Sequence, residues 1–171
     1  MELEDFKIKV IPLKNKLFRI AKRLLNDYEL AEDAMQEIMI KLWEKRFELD
    51  KHPNIEAFSV TVTKNYCIDI LRAKKVSTIE INEEILENRM DNPDNSFEKS
   101  ELQMLVSKAI AYLPEMQRLV LQLREIEGYS IEEIAFMLDT SIGNVRVILS
   151  RARLQLKSIL INKYKFNYER Y

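Results

Sequence analysis

Residues 130–153, SIEEIAFMLDTSIGNVRVILSRAR, decide the fold. Ser130 followed three residues later by Glu133 is a capping box: the serine oxygen accepts from a backbone N–H and the glutamate reaches back to the cap. Ile134, Ala135 and Leu138 then give a short helix an inward face, and the small Ala135 lets a second helix cross it closely. Asp139-Thr140-Ser141 makes a turn, with Asp139 at a position where glycine is common, and Ser141 can cap the next helix. Val145, Ile148, Leu149, Ala152 and Leu156 recur at helical spacing as the buried stripe of that helix. Arg146, Ser150, Arg153 and Lys157 stand opposite, flanked by Asn144, Val147 and Arg151. An apolar back lets such a helix pack on a bundle. An Arg, Asn and Ser front lets it reach base edges and phosphates in a major groove. The spacing therefore predicts a DNA-binding helix-turn-helix, with a solvated helical hairpin as the plain alternative.

Upstream, the periodicity predicts helices over Glu4–Asn26, with Pro12 in a first turn or at a kink, over Asp27–Lys45, and over Asn54–Lys74. The first carries the stripe Leu13, Leu17, Ile20 and Leu24, the second Leu30, Ala34, Ile38 and Leu42. The third is apolar on more than one side, as the centre of a bundle would be. Phe47–Pro53 breaks the pattern and reads as a loop. Residues 76–96 are acidic and Asn-rich and read as a linker. Helix resumes over Phe97–Tyr112 and again after Pro114, ending at Gly128. The expected fold is all-α: two small helical domains, 1–75 and 97–171, joined by a flexible acidic linker, 76–96.

Composition agrees. The chain has 171 residues, 47% of them hydrophobic and only two glycines, so it can bury a core and need not be disordered. Net charge is −1, yet residues 141–171 hold seven Lys/Arg against one Asp/Glu, while 76–101 hold two against eight. One end is thus suited to phosphates although the sum is neutral. Cys67 and His52 are each alone, so neither a disulfide nor a Cys/His metal set is expected. No cofactor motif, phosphate-cradling glycine loop or nucleophile–His pair stands out, and Glu132 and Glu133 suit a helix N-terminus better than acid–base catalysis. The opening MELEDFKIKV does not read as a signal peptide, and the apolar run Ile134–Leu138 is only five residues. A cytoplasmic chain, not an enzyme and monomeric when free, is the expectation.

Three blocks together resemble the extracytoplasmic-function (ECF) sigma factors, the smallest branch of the bacterial sigma superfamily. AEDAMQEIMIKLWE (31–44) is similar to the family's polymerase-binding helix, AFSVTVTKNYCIDILRAKK (57–75) to its promoter-melting helix, and 113–156 to its C-terminal promoter-binding domain. The resemblance implies a chain that binds core RNA polymerase and promoter DNA, often under the control of an anti-sigma protein. It implies polymerase contact at Asp33, Gln36 and Glu37, with Trp43 more simply a core residue. It implies contact with the opened minus-ten element at Lys64, Asn65, Asp69 and Arg72, with Phe47–Pro53 as the pocket for a flipped base. Thr61, Lys64, Asn65 and Arg72 share one arc of an ideal helix, whereas Asp69 can equally pair with Arg72, and Tyr66 reads as core. It implies reading of the minus-thirty-five element by Asn144, Arg146, Val147, Ser150 and Arg151, where Val147 departs from the small polar residue often found. The tail Lys163–Phe166 offers further phosphate contacts or is simply solvated. The acidic linker would thread the RNA path of the polymerase, or serve only as a spacer. Two other readings stay open: a stand-alone helix-turn-helix regulator, and a sigma-like adaptor that binds partners but not promoters.

Overall fold

The computed structural model describes residues 1–77 and 101–165. Every element among them is a helix. The first group comprises α1 (Leu3–Lys9), α2 (Lys14–Leu25), α3 (Tyr28–Glu44), α4 (Arg46–Lys51) and α5 (Ile55–Ser77). The second comprises α6 (Glu101–Ala111), α7 (Glu115–Leu121), α8 (Ile131–Leu138) and α9 (Ile142–Asn162). The proposed linker lies mostly outside the described residues, as do residues 97–100 of the expected helix before α6.

Pro12 divides the first expected helix. It sits at the start of a 3₁₀ turn, Ile11–Leu13, between α1 and α2, where its missing N–H costs no helical bond. Asn26 ends α2 in the left-handed region at φ 53°, and Asp27 caps α3 by accepting from Leu30 N–H at 3.0 Å. Asn54 caps α5 in the same way, accepting from Ala57 N–H at 2.9 Å. Helices α2, α3 and α5 pack together as a three-helix core. Leu17, Ile20 and Leu24 of α2, Ile38 and Leu42 of α3, and Val60 and Cys67 of α5 are fully buried there. Ser59 and Thr63 are buried too, but their hydroxyls donate to Ile55 O and Ser59 O one turn back, so neither hydroxyl is stranded.

One expectation is corrected here. Phe47–Pro53 is not a loop throughout, because residues up to Lys51 belong to α4. Leu49 is fully buried and anchors this turn, while the Arg46 guanidinium lies 4.5 Å from the Trp43 ring and 4.3 Å from the Phe47 ring. Only the stretch around His52 and Pro53 leaves the helical path.

In the second group α9 packs on α6, α7 and α8. Its buried stripe is Val145, Leu149 and Ala152, with Ile148 and Leu156 half-buried beside it. The capping box before α8 is complete: Ser130 Oγ accepts from Glu133 N–H, and Glu133 accepts from Ser130 N–H. Asp139 takes the turn at φ 50°, and Ser141 Oγ accepts from Asn144 N–H to start α9. The helix that follows Pro114 ends in a π turn, Gln122–Ile126, where Glu127 N–H reaches Gln122 O at 3.0 Å. Gly128, at φ 78°, then reverses the chain.

The capping box supplies a direct test. Ser130→Ala takes the acceptor from the Glu133 N–H of α8 and is expected to lower stability by about 1 kcal/mol in urea unfolding, with an unchanged slope.

Candidate nucleic-acid interface

The apolar stripe of α9 turns its opposite side outward. Asn144, Arg146, Val147, Ser150 and Arg151 are all exposed on it. The five candidate residues of this helix therefore share one open surface, with Asn144 in the first turn at the positive end of the helix dipole. Asn144 is oriented by a bond from its Nδ2 to Thr140 Oγ1 at 2.8 Å. Arg153, which the sequence places on the same front, instead donates to Glu125 of the π turn at 2.5 Å, which offsets its charge. In the tail, the Lys163 ammonium lies 3.8 Å from the Tyr112 ring centre, and Phe166 lies outside the described residues.

The candidates on α5 divide. Asn65, Asp69 and Arg72 are exposed, and Asp69 and Arg72 stand 3.9 Å apart as an open ion pair. Lys64 is half-buried, and burial pushes its ammonium below the ordinary lysine range, countered in part by Asp139. Thr61 Oγ1 lies 2.9 Å from both Ala57 O and Met137 O, so its one proton is shared between its own helix and the end of α8. Beside them the Phe136 ring of α8 stands 5.9 Å from the His52 ring, which in turn meets Phe58 edge-on at 5.3 Å. The inner part of this face is thus covered by the helix-turn-helix, and the outer part is open.

Asp33, Gln36 and Glu37 form an exposed polar face on α3. Trp43, expected in the core, is half-buried: Phe6 meets it edge-on at 5.2 Å and Arg46 covers a face. Tyr66 is half-buried as well, with the Lys41 ammonium 5.5 Å from its ring centre.

Sequence reasoning missed a polar junction between the two groups of helices. Arg19 of α2 donates twice to Glu127, at 2.9 and 2.7 Å, and Gln122 donates to the same carboxylate at 2.9 Å. Arg23 donates to Gln122 Oε1 at 3.1 Å. Arg118 of α7, only 8% exposed, donates to Ala111 O and Leu113 O and, across the junction, to Leu24 O at 2.7 Å. Glu56 of α5 accepts from Lys16 at 2.5 Å and from the Tyr129 hydroxyl. Burial alone raises the Glu127 and Glu56 carboxyls, but the donors outweigh it and hold both below their ordinary 4.5. A hint was available in Arg118, a charge set beside the apolar run Leu119-Val120-Leu121.

Two family models match the chain, one described as Sigma-70 region 2 over residues 11–76 and one as Sigma-70, region 4 over residues 103–156. The ECF RNA polymerase sigma-E factor of Escherichia coli K12 is 30% identical over 161 residues, spanning 86% of this chain and 82% of that relative. The RNA polymerase sigma-H factor of Pseudomonas aeruginosa is 26% identical, with the same coverage. Among solved structures, the sigma factor RpoE in complex with the anti-sigma factor NepR from Bartonella quintana superposes with a TM-score of 0.74 at 23% identity, covering 94% of this chain and 99% of that one. CnrH in complex with the cytosolic domain of CnrY gives 0.65 at 19% identity, covering 93% and 89%. These two likenesses speak to the fold.

The junction carboxylates set a pH dependence. Their folded pKa values lie below 4.5, so their stabilisation is fully present above 4.5 and is lost as pH falls through the lower folded values. Stability measured by urea unfolding is expected to fall as pH drops below 4.5, and to fall less steeply in Glu127→Gln.

Proposed function

Because the chain belongs to the ECF RNA polymerase sigma factors and directs core polymerase to promoters, we propose how its residues divide that work. Residues 1–75 bind core polymerase and the minus-ten element, residues 97–171 bind the minus-thirty-five element, and 76–96 link them. The observation that carries this reading is the open front of α9, where Asn144, Arg146, Val147, Ser150 and Arg151 are exposed over a buried apolar back. A side chain can read a base edge only if it projects past its own helix into the groove, and this front satisfies that condition. Arg146 and Arg151 supply guanidinium forks for guanine edges or phosphates, and Asn144 and Ser150 supply shorter donors and acceptors.

On α5, Lys64 and Asn65 hold the opened strand, Arg72 holds phosphate farther along, and Asp69 acts through its pair with Arg72. A base taken out of the stack is received near His52 and Pro53, where the chain leaves the helical path after α4. The exposed face Asp33, Gln36 and Glu37 meets a basic surface of core polymerase, to which two carboxylates and an amide are complementary. The polymerase makes the bonds, and the chain supplies position and strand capture without catalysis of its own. It works where the polymerase works, in the cytoplasm. No helix among the described residues is long and apolar enough to cross a membrane. The solved neighbour RpoE was captured with the anti-sigma factor NepR, and an inhibitor of that class is the further partner proposed for this chain.

Run-off transcription with core polymerase tests the assignment. Arg146→Ala and Arg151→Ala are each expected to reduce promoter-specific transcript roughly tenfold, in line with the loss of one bidentate contact, while core binding is unchanged. Asp33→Lys with Glu37→Lys is expected to abolish co-purification with core polymerase. Unchanged transcript from both arginine variants would point to an adaptor, and tight duplex binding without polymerase would point to a stand-alone regulator.

A further inference from the structure

Arg153 stands on α9 seven residues after Arg146, almost two full turns on, so both side chains leave the helix on the same side. Ser150 lies between them, and the three line one open hollow of the front. About 10 Å of helix axis separates the two arginines. A major groove is about 12 Å wide, and a recognition helix meets base edges with its N-terminal residues. With Arg146 at a base edge, Arg153 is set back at the wall of the groove, where the phosphates stand.

Arg153 does not present a bare charge there. Its Nη2 donates to Glu125 Oε1 at 2.5 Å, across 28 residues of sequence. Glu125 belongs to the π turn Gln122–Ile126, ahead of the helix-turn-helix. Both side chains are about half exposed, at 56% and 47%. An ion pair so open to water adds little to stability, so holding the fold together does not account for it. To a guanidinium, a carboxylate and a phosphate offer the same thing: anionic oxygens that accept charge-assisted bonds.

We propose that Glu125 stands in for a DNA phosphate on Arg153, and that duplex binds by taking the guanidinium from it. Arg153 is then a backbone-holding residue beyond the five front residues. Glu125 sets affinity without touching DNA, because each phosphate that reaches Arg153 must displace it. The exchange trades one acceptor for another, and the released carboxylate, already half exposed, returns to water. Phosphates carry no sequence, so the competition weakens binding to every duplex alike. The proposal rests on the reading of α9 given under Proposed function.

The test uses the full chain and a fluorescein-labelled duplex of mixed sequence, with affinity read by anisotropy over a series of salt concentrations. Glu125→Gln, Arg153→Ala and the double variant are compared with the parent, folding being checked by circular dichroism. Glu125→Gln is expected to tighten binding by about threefold, the size set by removal of an exposed ion pair that competes. Arg153→Ala is expected to weaken binding and to flatten the slope of log affinity against log salt by about 0.9, as loss of one phosphate contact does. A merely structural role for Arg153 would leave that slope unchanged. The double variant is expected to match Arg153→Ala alone. Plain removal of a negative charge would give Glu125→Gln its gain with or without Arg153, so a gain that persists in the Arg153→Ala background overturns the proposal. So does an unchanged affinity in Glu125→Gln, or an unchanged slope in Arg153→Ala. If Glu125→Gln disturbs the π turn, Glu125→Ala carries the same comparison. Arg146→Ala and Arg151→Ala separate this proposal from the reading beneath it. If both weaken binding while Glu125→Gln changes nothing, the competition falls and the α9 reading stands; if none of these variants changes binding, both fall.

Discussion

A guanidinium shut away from water needs acceptors, and Arg118, whose two terminal nitrogens find them while its Nε stays unpartnered, sits at the meeting point of the fold. It donates to the carbonyls of Ala111, Leu113 and Leu24, which are the end of α6, the turn before α7 and the end of α2. Such carbonyls near helix C-termini lack intrahelical partners and carry partial negative charge, so they suit a cation. The position of α7 is thereby tied to α2. Because α9 packs on α7, the outward front of the recognition helix is set relative to the first helical group by the same contact. Glu127 works in the opposite sense, as a nearly buried carboxylate supplied with donors by Arg19 and Gln122.

What could be read from the sequence follows from the range of each interaction. The caps at Ser130, Ser141, Asp27 and Asn54 act over three residues, and the stripes of α2 and α9 repeat every three or four, so both are written in a short window. The helix-turn-helix was legible for that reason, down to the strained turn at Asp139. Helix α4 was not, because its order depends on Leu49 entering a core made by other helices. The junction was least legible: its partners stand 108, 94 and 73 residues apart, and nothing in local spacing pairs Arg19 with Glu127, Arg118 with Leu24, or Tyr129 with Glu56. The candidate site divides in the same way. The front of α9 could be placed from its periodicity, whereas the covering of Thr61 and Lys64 by α8 could not.

These physical differences bear on function. The front of α9 is exposed, so the major-groove contact proposed for its five candidate residues needs no rearrangement of their side chains. The α5 face is different, since Thr61 on its inner part is engaged with the Met137 carbonyl and Lys64 is half-buried near Asp139, so the strand contact proposed for it requires that part to be released. The duplex reading and strand capture proposed for α9 and α5 are thus unequal in what they require of the same protein, whereas the α3 face carrying Asp33 and Glu37, proposed to meet polymerase, is exposed.

The central claim, that one chain grips a promoter at two points through core polymerase, is tested most directly by transcribing fragmented genomic DNA with core polymerase, with and without the protein, and sequencing the new 5′ ends. The account predicts start sites that arise only with the protein and that share two sequence blocks upstream, at the minus-ten and minus-thirty-five distances. A folded protein that adds no start sites, or adds sites sharing a single block, would contradict it.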